Sequence, residues 1–325
     1  MKKCFCIIIL VCLLFFVLMG GYVAASSGKE VDFPKKTINI IVPYSPGGSS
    51  EPPARIMAQI MKDELFNVDV IVTCMPGAGT LLGQEEVINA KPDGYTLLFH
   101  HTAMVTGHLL GRQEFSFKKY TPVAMLMSNV QNLNVRADAP WKDFGELLED
   151  LRQRPEEISF TWPGMGGVSH FLCEWFFTEA GIKGVKKLIA EGGAQADQWL
   201  LGGHVDVAGQ GGIRSLALSG DFRVLALATE ERWDMLPDVP TFKEHGFDNI
   251  ILAVDYGLWA PPNTSTEVVE VLSEAVKYVV GHPKFLEFCK KNMIMPNYKD
   301  TKGLAENFSR ITENLTPIAK IIKGE

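Results

Sequence analysis

The chain has 325 residues, of which 46% are hydrophobic and 21% charged, and its formal net charge is −7. This length fits two ordinary domains or one large one, and the composition is that of a soluble globular protein. The acidic balance argues against a protein whose main partner is nucleic acid, because phosphate binding needs a basic surface.

Residues 1–25 have the pattern of a secretory signal peptide. Two lysines precede the apolar stretch CFCIIILVCLLFFVLM, and small residues follow it. Basic start, apolar stretch and small residues together predict cleavage, here after Ala25. A retained membrane anchor is the alternative, since the apolar stretch is almost long enough to span a bilayer. No second stretch is long and apolar enough to span a bilayer, so the exported protein is expected to be soluble once the signal peptide is removed.

Cleavage would leave only three of the cysteines, namely Cys74, Cys173 and Cys289. An odd number at such wide spacing predicts neither a disulfide framework nor a zinc site. We expect small buried hydrophobic side chains, although one disulfide is possible in an oxidising compartment.

From Thr37 onward, β-type runs alternate with helix-type runs, which is typical of βαβ units and a mostly parallel sheet. The predicted strands are 38–42, 68–73, the second part of 92–100, 158–162, 186–190, 204–208 and 222–229, with a further extended segment at 248–262. The predicted helices are 52–65, 80–90, 168–180, 194–203, 213–220, one opened by a capping box of Thr264 and Glu267, and a tail from 284 broken by Pro296 and Pro317.

The junctions from strand to helix are rich in glycine. They read SPGGSS (45–50), PGAGT (76–80), PGMGG (163–167), EGG (191–193) and GQGG (209–212). Such turns share one edge of a parallel sheet, and the helices after them direct unpaired N–H groups and a partial positive charge at that edge. Because glycine lets a ligand approach the backbone, the pattern predicts a site for a small anion.

The sequence gives little support for nucleotide binding or catalysis. A phosphate loop needs Gly-Lys-Ser/Thr, and GAGTLLG (77–83) is one residue too long for a dinucleotide fingerprint. Ser45 has no evident catalytic base, and Asp206 and Asp255 are expected to be turn or hinge residues. We therefore predict no enzyme, no metal and no cofactor. The histidines at 100, 101 and 170 either line the cleft or cap turns, and the stripe at 171, 175 and 176 is expected in the core.

Four stretches, in this order, resemble one family. They are INIIVPYSPGGSSEPPAR, PGAGTLLGQEEVINAKPDGYTLL, EGGAQADQWLLGGHVDV and PDVPTFKEHGF followed by YGLWAPPNTS. The chain resembles the substrate-binding proteins of tripartite tricarboxylate transporters, also called the Bug family, over nearly all of its mature length.

The resemblance implies an α/β fold, a two-domain periplasmic-binding-protein clamshell with a mostly parallel sheet flanked by helices in each domain. Residues 33–125 with 253–325 would form domain one and 126–252 domain two, joined by two crossing strands. The turn at 44–51 would clasp a carboxylate of the ligand, domain two would close on it, and a membrane permease would receive it. The expected ligand-binding residues are Tyr44, Ser45, Pro46, Gly47, Gly48, Ser49, Ser50, Glu51, Gly79, Thr80, His100, Thr102, Gly166, Gly167, Val168, Ser169, His170, Glu191, Gly192, Gly193, Ala194, Gln195 and Gln210.

Three departures from the family pattern affect charge. Glu51 stands where a shorter acid is usual, Thr73–Met75 replaces a segment with asparagine and arginine, and Glu191 stands where lysine is common. A less cationic cleft favours a ligand with an amine or hydroxyl groups over a plain di- or tricarboxylate. We expect a monomer that binds a small organic acid or amino-acid-like solute and serves permease subunits. The alternatives are a ligand-presenting partner of a sensor kinase and a secreted enzyme on the same fold.

Overall fold

The computed structural model describes residues 32–211, 217 and 219–325. The predicted signal peptide and most of the predicted helix 213–220 lie outside the described residues. Residues Phe33–Glu325 form one compact unit. Within the described part of the chain, no helix is both long enough and apolar enough to cross a membrane.

Within the described residues, ten strands form the sheet. They are β1 (Ile38–Val42), β2 (Val70–Cys74), β3 (Thr96–His101), β4 (Thr121–Arg136), β5 (Ser159–Pro163), β6 (Lys186–Ala190), β7 (Val207–Gly211), β8 (Phe222–Leu227), β9 (Ala253–Ala260) and β10 (Met295–Lys299).

The helices of the described chain pack on this sheet. They are α1 (Glu51–Ile60), α2 (Leu81–Ile88), α3 (Ala103–Leu109), α4 (Phe144–Gln153), α5 (Val168–Ala180), α6 (Gly193–Leu201), α7 (Thr266–Gly281), α8 (Pro283–Lys291) and α9 (Thr301–Lys323). Proline at the second and third positions of the α1 segment suits its first turn, where no N–H is needed.

The strand order is β2-β1-β3-β9-β4-β7-β5-β6, with β10 and β8 also paired to β4. Strand β4 is 16 residues long and changes partners along its length. It pairs with β9 up to Val130 and with β7 from Gln131. We call β1, β2, β3, β9 and β10 the first half-sheet, and β5 to β8 the second. The predicted α/β fold class is confirmed; the domain boundaries stay a prediction.

The pairing directions of the strands determine how the two half-sheets lie relative to each other. Strand β1 is parallel to β2 and β3, and β5 is parallel to β6 and β7, whereas β4 and β9 are antiparallel to their neighbours. The last residue of β3, His101, pairs with Tyr256, which pairs with Met127 of β4. The last residue of β7, Gly211, pairs with Gln131 of β4. The carboxyl ends of both parallel sets therefore face each other across β4 residues 127–131, and we call this region the converging edge.

Two large clusters form the core. One surrounds α5 and includes Phe171, Phe176 and Trp175, which confirms that this stripe is a core face. The other lies between the first half-sheet, α1 and α7. The three cysteines of the described chain are free; Cys173 and Cys289 are buried, as expected, and Cys74 is half-buried.

Several predicted elements are wrong in detail. Residues 209–211 of the predicted turn GQGG belong to strand β7. The hydroxyl of Ser265 caps α7 by accepting from Val268 N–H, while Thr264 donates to the Pro261 carbonyl, so the predicted capping box is wrong.

The C-terminal tail also differs from its prediction. It contains strand β10, whereas a helical tail was predicted, and Pro317 lies inside α9 without ending it. The prediction did not include β4, α3 or α4, because none of them follows a glycine-rich turn.

Candidate functional site

The turn between β1 and α1 is closed by its own glutamate. The Glu51 carboxylate accepts from the Gly47 N–H at 2.6 Å and from Arg55 Nε at 2.6 Å. These two contacts, the Gly47 N–H first, lower the pKa of Glu51. The charge of Glu51 is therefore balanced by Arg55, and its role is to shape the turn. Ser45, Pro46, Gly47 and Ser49 are exposed on this turn, Gly48 is half-buried and Ser50 is buried.

His100 lies at the end of β3 beside this turn. Its Nδ1 accepts from the His101 N–H at 2.8 Å and lies 3.4 Å from the Tyr44 hydroxyl. Burial lowers the pKa of His100 well below its ordinary value, so the ring is neutral and carries its proton on Nε2. That Nε2 is buried and has no hydrogen-bond partner among the described residues. An unused N–H donor thus lies at the converging edge.

Two aromatic residues enclose His101. Its ring stacks on Tyr44 with centroids 5.0 Å apart and lies 4.8 Å from Tyr256. Burial lowers the pKa of His101 to about 3. Burial also raises the pKa of Tyr256, while the side chains of Ser49, Ser50 and Asn129 oppose that rise. Tyr256 therefore connects the first turn to β4.

The turn between β2 and α2 is fixed by Gln113. Its Nε2 donates to the Gly79 carbonyl at 3.1 Å and to Thr80 Oγ1 at 2.9 Å. Gln84 donates to the same hydroxyl at 2.8 Å. The Thr80 hydroxyl is therefore held by protein groups.

Thr102 is also used within the fold. Its buried hydroxyl donates to the Ala253 carbonyl at 2.9 Å and accepts from the Asp255 N–H at 2.9 Å. It joins the end of β3 to the start of β9, so its hydrogen bonds are structural.

His170 supports the turn between β5 and α5. Its Nδ1 accepts from the Gly166 N–H at 2.9 Å, and its ring stacks on Trp162 with centroids 4.8 Å apart. Its Nε2 lies 3.5 Å from Glu174, which Lys187 also contacts at 2.7 Å. The ring is thus occupied by protein on both nitrogens and on one face.

Ser169, next to His170, reaches β4. Its hydroxyl donates to Gln131 Oε1 at 2.8 Å. Gln131 Nε2 is buried and has no partner in the described structure, and Asn129 Oδ1 is in the same situation. Val168 is buried, and Gly167 is half-buried at the helix start. The converging edge thus holds further polar atoms without partners.

The turn between β6 and α6 is closed by Gln195, whose Oε1 accepts from the Glu191 N–H at 2.7 Å. The Glu191 side chain is exposed, and so is Ala194, while Gly192 and Gly193 are half-buried. Gln210 lies farther from this surface, fully buried within β7, where its Nε2 donates to Asp197 at 2.8 Å. Its predicted contact with the ligand would need a rearrangement of that pair.

The helix starts at the converging edge differ from all others in the described chain. Helices α1, α2, α3, α5 and α6 begin there, and none has a side-chain hydrogen bond at its N-cap. Helices α4, α7, α8 and α9 begin elsewhere, and a side chain caps each one. A helix start without a cap keeps N–H groups for another acceptor. Helix α1 is the exception, because Pro52 and Pro53 in its first turn have no N–H, and only the turn before it can donate.

The structure thus brings most of the predicted turns to one edge and assigns several predicted residues to structural roles. Sequence reasoning missed Tyr256, Asn129, Gln131 and Gln113 as neighbours of these turns. They lie on strands or after a short helix, outside glycine-rich motifs, and only the pairing across β4 reveals them. Two grooves of about 710 and 730 Å³ lie away from the edge, along α7.

A family model described as the tripartite tricarboxylate transporter family receptor matches residues 54–324. The chain belongs to this family. Its members are solute-binding receptors, and the proteins of known structure that it resembles are periplasmic binding proteins. The resemblance drawn from the sequence is confirmed.

Individual proteins extend this result. The chain is 29% identical to the UPF0065 protein in the TAR-I ttuE-ttuC' intergenic region of Agrobacterium vitis, over 89% of this chain and 84% of that protein. It resembles the crystal structure of a TctC solute binding protein from Polaromonas, with a TM-score of 0.78 and 27% identity over 90% of this chain and 99% of the other. MatC from Rhodopseudomonas palustris, solved with bound malate, shares the fold with a TM-score of 0.71 and 24% identity over 88% and 100% of the two chains.

Proposed function

We propose that this receptor captures a small carboxylate-bearing solute at the converging edge and delivers it to a tripartite tricarboxylate-type membrane permease. The observation that carries the proposal is the set of uncapped helix starts on both sides of β4. N-terminal N–H groups and the helix dipole favour a carboxylate there, each terminus contributing up to about 2 kcal/mol when partly buried.

We further propose two lobes, residues 33–125 with 253–325 and residues 126–252, that close on the solute. The change of partner along β4 supports this division, because one strand then belongs to both lobes. Ligand binding would select the closed form, which the permease would recognise. The basic, apolar and small-residue pattern at the N-terminus supports export to the periplasm by a signal peptide removed after Ala25.

The charged side chains at the converging edge restrict which solutes can bind. Arg55 balances Glu51, so the departure at position 51 does not make the edge more acidic. Glu191 is exposed and has no ion pair among the described residues. We propose that Glu191 disfavours a second carboxylate and favours a solute with one carboxylate and an amine or hydroxyl groups. The malate held by MatC has two carboxylates and one hydroxyl, and it is a suitable reference compound.

The experiment is a thermal-shift screen of the mature protein. Malate, succinate, citrate, glutamate and aromatic acids are each compared with the corresponding amide. An acid at 100 times its dissociation constant stabilises the folded state by about 2.7 kcal/mol, which raises the melting temperature by roughly 5 °C or more. Equal shifts with acids and amides, or no shift with any acid, would contradict the proposal.

A further inference from the structure

One peptide unit is held from both half-sheets. The Met165 carbonyl accepts from Arg112 Nη1 at 2.5 Å, and the Gly166 N–H of the same peptide donates to His170 Nδ1 at 2.9 Å. Arg112 follows α3, the helix that extends from the first half-sheet, whereas Met165 and His170 belong to the turn between β5 and α5. The Arg112 contact therefore joins the two sides of the converging edge.

Gly166 makes this approach possible. Its φ is +74°, and a Cβ atom there would lie 2.4 Å from Leu110 Cδ1 and 2.7 Å from Arg112 Nη1. Gly164, two residues earlier, has the same φ of +74°, but a Cβ there would meet nothing within 4 Å. The two glycines thus carry the same backbone constraint, and only Gly166 is in contact with the opposite side.

The inner side of the peptide is rigid. His170 is buried against Trp162, and Glu174 faces its other nitrogen. Lys187 Nζ in turn donates to both carboxylate oxygens of Glu174, at 2.7 and 2.8 Å. These contacts, all within the second side, hold the peptide whose carbonyl Arg112 reaches.

The segment that carries Arg112 also contacts the turn between β2 and α2. Gln113, the next residue after Arg112, donates to the Gly79 carbonyl and to Thr80. Residues 110–113 thus join the turn after β2 to the turn after β5.

We propose that Arg112 is the latch of the closed form, a positioning residue that holds the two lobes together through the Met165 carbonyl. This inference rests on the proposed clamshell function. The latch would slow the release of the solute without contacting it, because the acceptor of Arg112 is a main-chain carbonyl.

The test combines small-angle scattering with and without malate, calorimetric titration with malate, and a stopped-flow measurement of the rate of malate release. Arg112→Ala and Gly166→Ala are compared with the wild type and with two controls. Gly164→Ala repeats the backbone constraint without the contact, and Arg152→Ala removes an exposed arginine from α4. Both latch variants should have a larger radius of gyration than either control, and should bind malate about tenfold more weakly through faster release.

The outcomes separate the two proposals. Latch variants that match their controls in radius of gyration and in release rate would overturn the latch. A weaker affinity for Arg112→Ala alone, with an unchanged radius of gyration, would also overturn it, because that result indicates direct contact with malate. If the wild type responds to no acid but the latch variants are still more open, the latch stands and the proposed function fails.

Discussion

The two groups of helix starts differ in what satisfies their first N–H groups. At α4 and α9, Asp143 and Asp300 accept from the backbone within the first turn, at 3.0 and 2.8 Å. At α5 and α6, glycine occupies the N-cap and offers no side chain. Glycine at an N-cap costs only about a few tenths of a kcal/mol relative to a capping side chain, and it leaves the first N–H groups to a bound anion. The difference indicates where the fold is complete and where it needs a ligand.

The largest expected effect concerns charge at the converging edge, where His100 and His101 are neutral. Their folded pKa values lie below the ordinary 6.5, so the unfolded chain takes up protons first as the pH falls. The stability they contribute is present above pH 6.5 and is lost as the pH falls from there toward their folded pKa values, about 3 for His101. Each group contributes a slope of about 1.4 kcal/mol per pH unit.

Urea unfolding between pH 6 and pH 4 checks this slope. His101→Asn should make it shallower by about one proton, or about 1.4 kcal/mol per pH unit, while the exposed His204→Asn should leave it unchanged. A His101→Asn protein with the wild-type slope would show that His101 is not neutral in the folded state.

Adding an N-cap side chain to a helix that begins at the converging edge should weaken the binding of the solute. Gly192 has an extended backbone with φ −166°, and a Cβ there would meet nothing within 4 Å, so an aspartate fits. Its carboxylate would occupy the place proposed for the solute. We expect Gly192→Asp to weaken the binding of malate about 30-fold, or about 2 kcal/mol, in calorimetry. Gly192→Asn is the neutral control of the same shape, and equal affinities for the two variants would refute the electrostatic argument.

Removing the N-cap side chain of a helix that begins away from the converging edge should lower stability without changing affinity. Asp300→Ala deletes the acceptor of the Gly303 N–H at the start of α9 and should lower the free energy of unfolding by about 1 kcal/mol. The affinity for malate should not change. Asp248→Ala, at an exposed aspartate for which the described structure shows no hydrogen bond, is the control. A loss of affinity without a loss of stability would remove the distinction between the two groups.

The smallest effect is expected at Glu191. Because this side chain is exposed, Glu191→Lys should raise the affinity for malate only about two- to fivefold, and less at high salt. Glu287→Lys makes the same change of net charge on α8 and should have no effect. If Glu191→Lys binds malate more weakly than the wild type, Glu191 does not select against a second carboxylate.

The local sequence pattern correctly predicted several helices and strands that lie away from β4. Helix α5 was placed at its observed residues because Gly167 and Gly181 bound an apolar run, and β6 was placed equally well. At the centre, the extended segment at 248–262 contains β9 and the resemblance implied two crossing strands, but the local pattern did not predict β4. Strand β4 has no glycine-rich turn at its end, and its role arises from pairing with strands far away in the sequence.

The same limit applies to the site. The glycine-rich turns could be identified from composition, but Tyr256 and Asn129 become neighbours only through the register of β9 on β4. Hydrogen-bond partners also could not be predicted. His170 and Thr102 are polar residues at turns, and whether they serve the ligand or the fold depends on atoms that the local sequence does not specify.

A crystal structure of the protein with the acid that gives the largest thermal shift would test the central claim most directly. We predict that its carboxylate oxygens lie about 3 Å from backbone N–H groups of the turn before α1 or of the start of α2 on one side, and of the start of α5 or α6 on the other. An acid bound elsewhere, for instance in the groove that Leu65 and Tyr278 line, would contradict it.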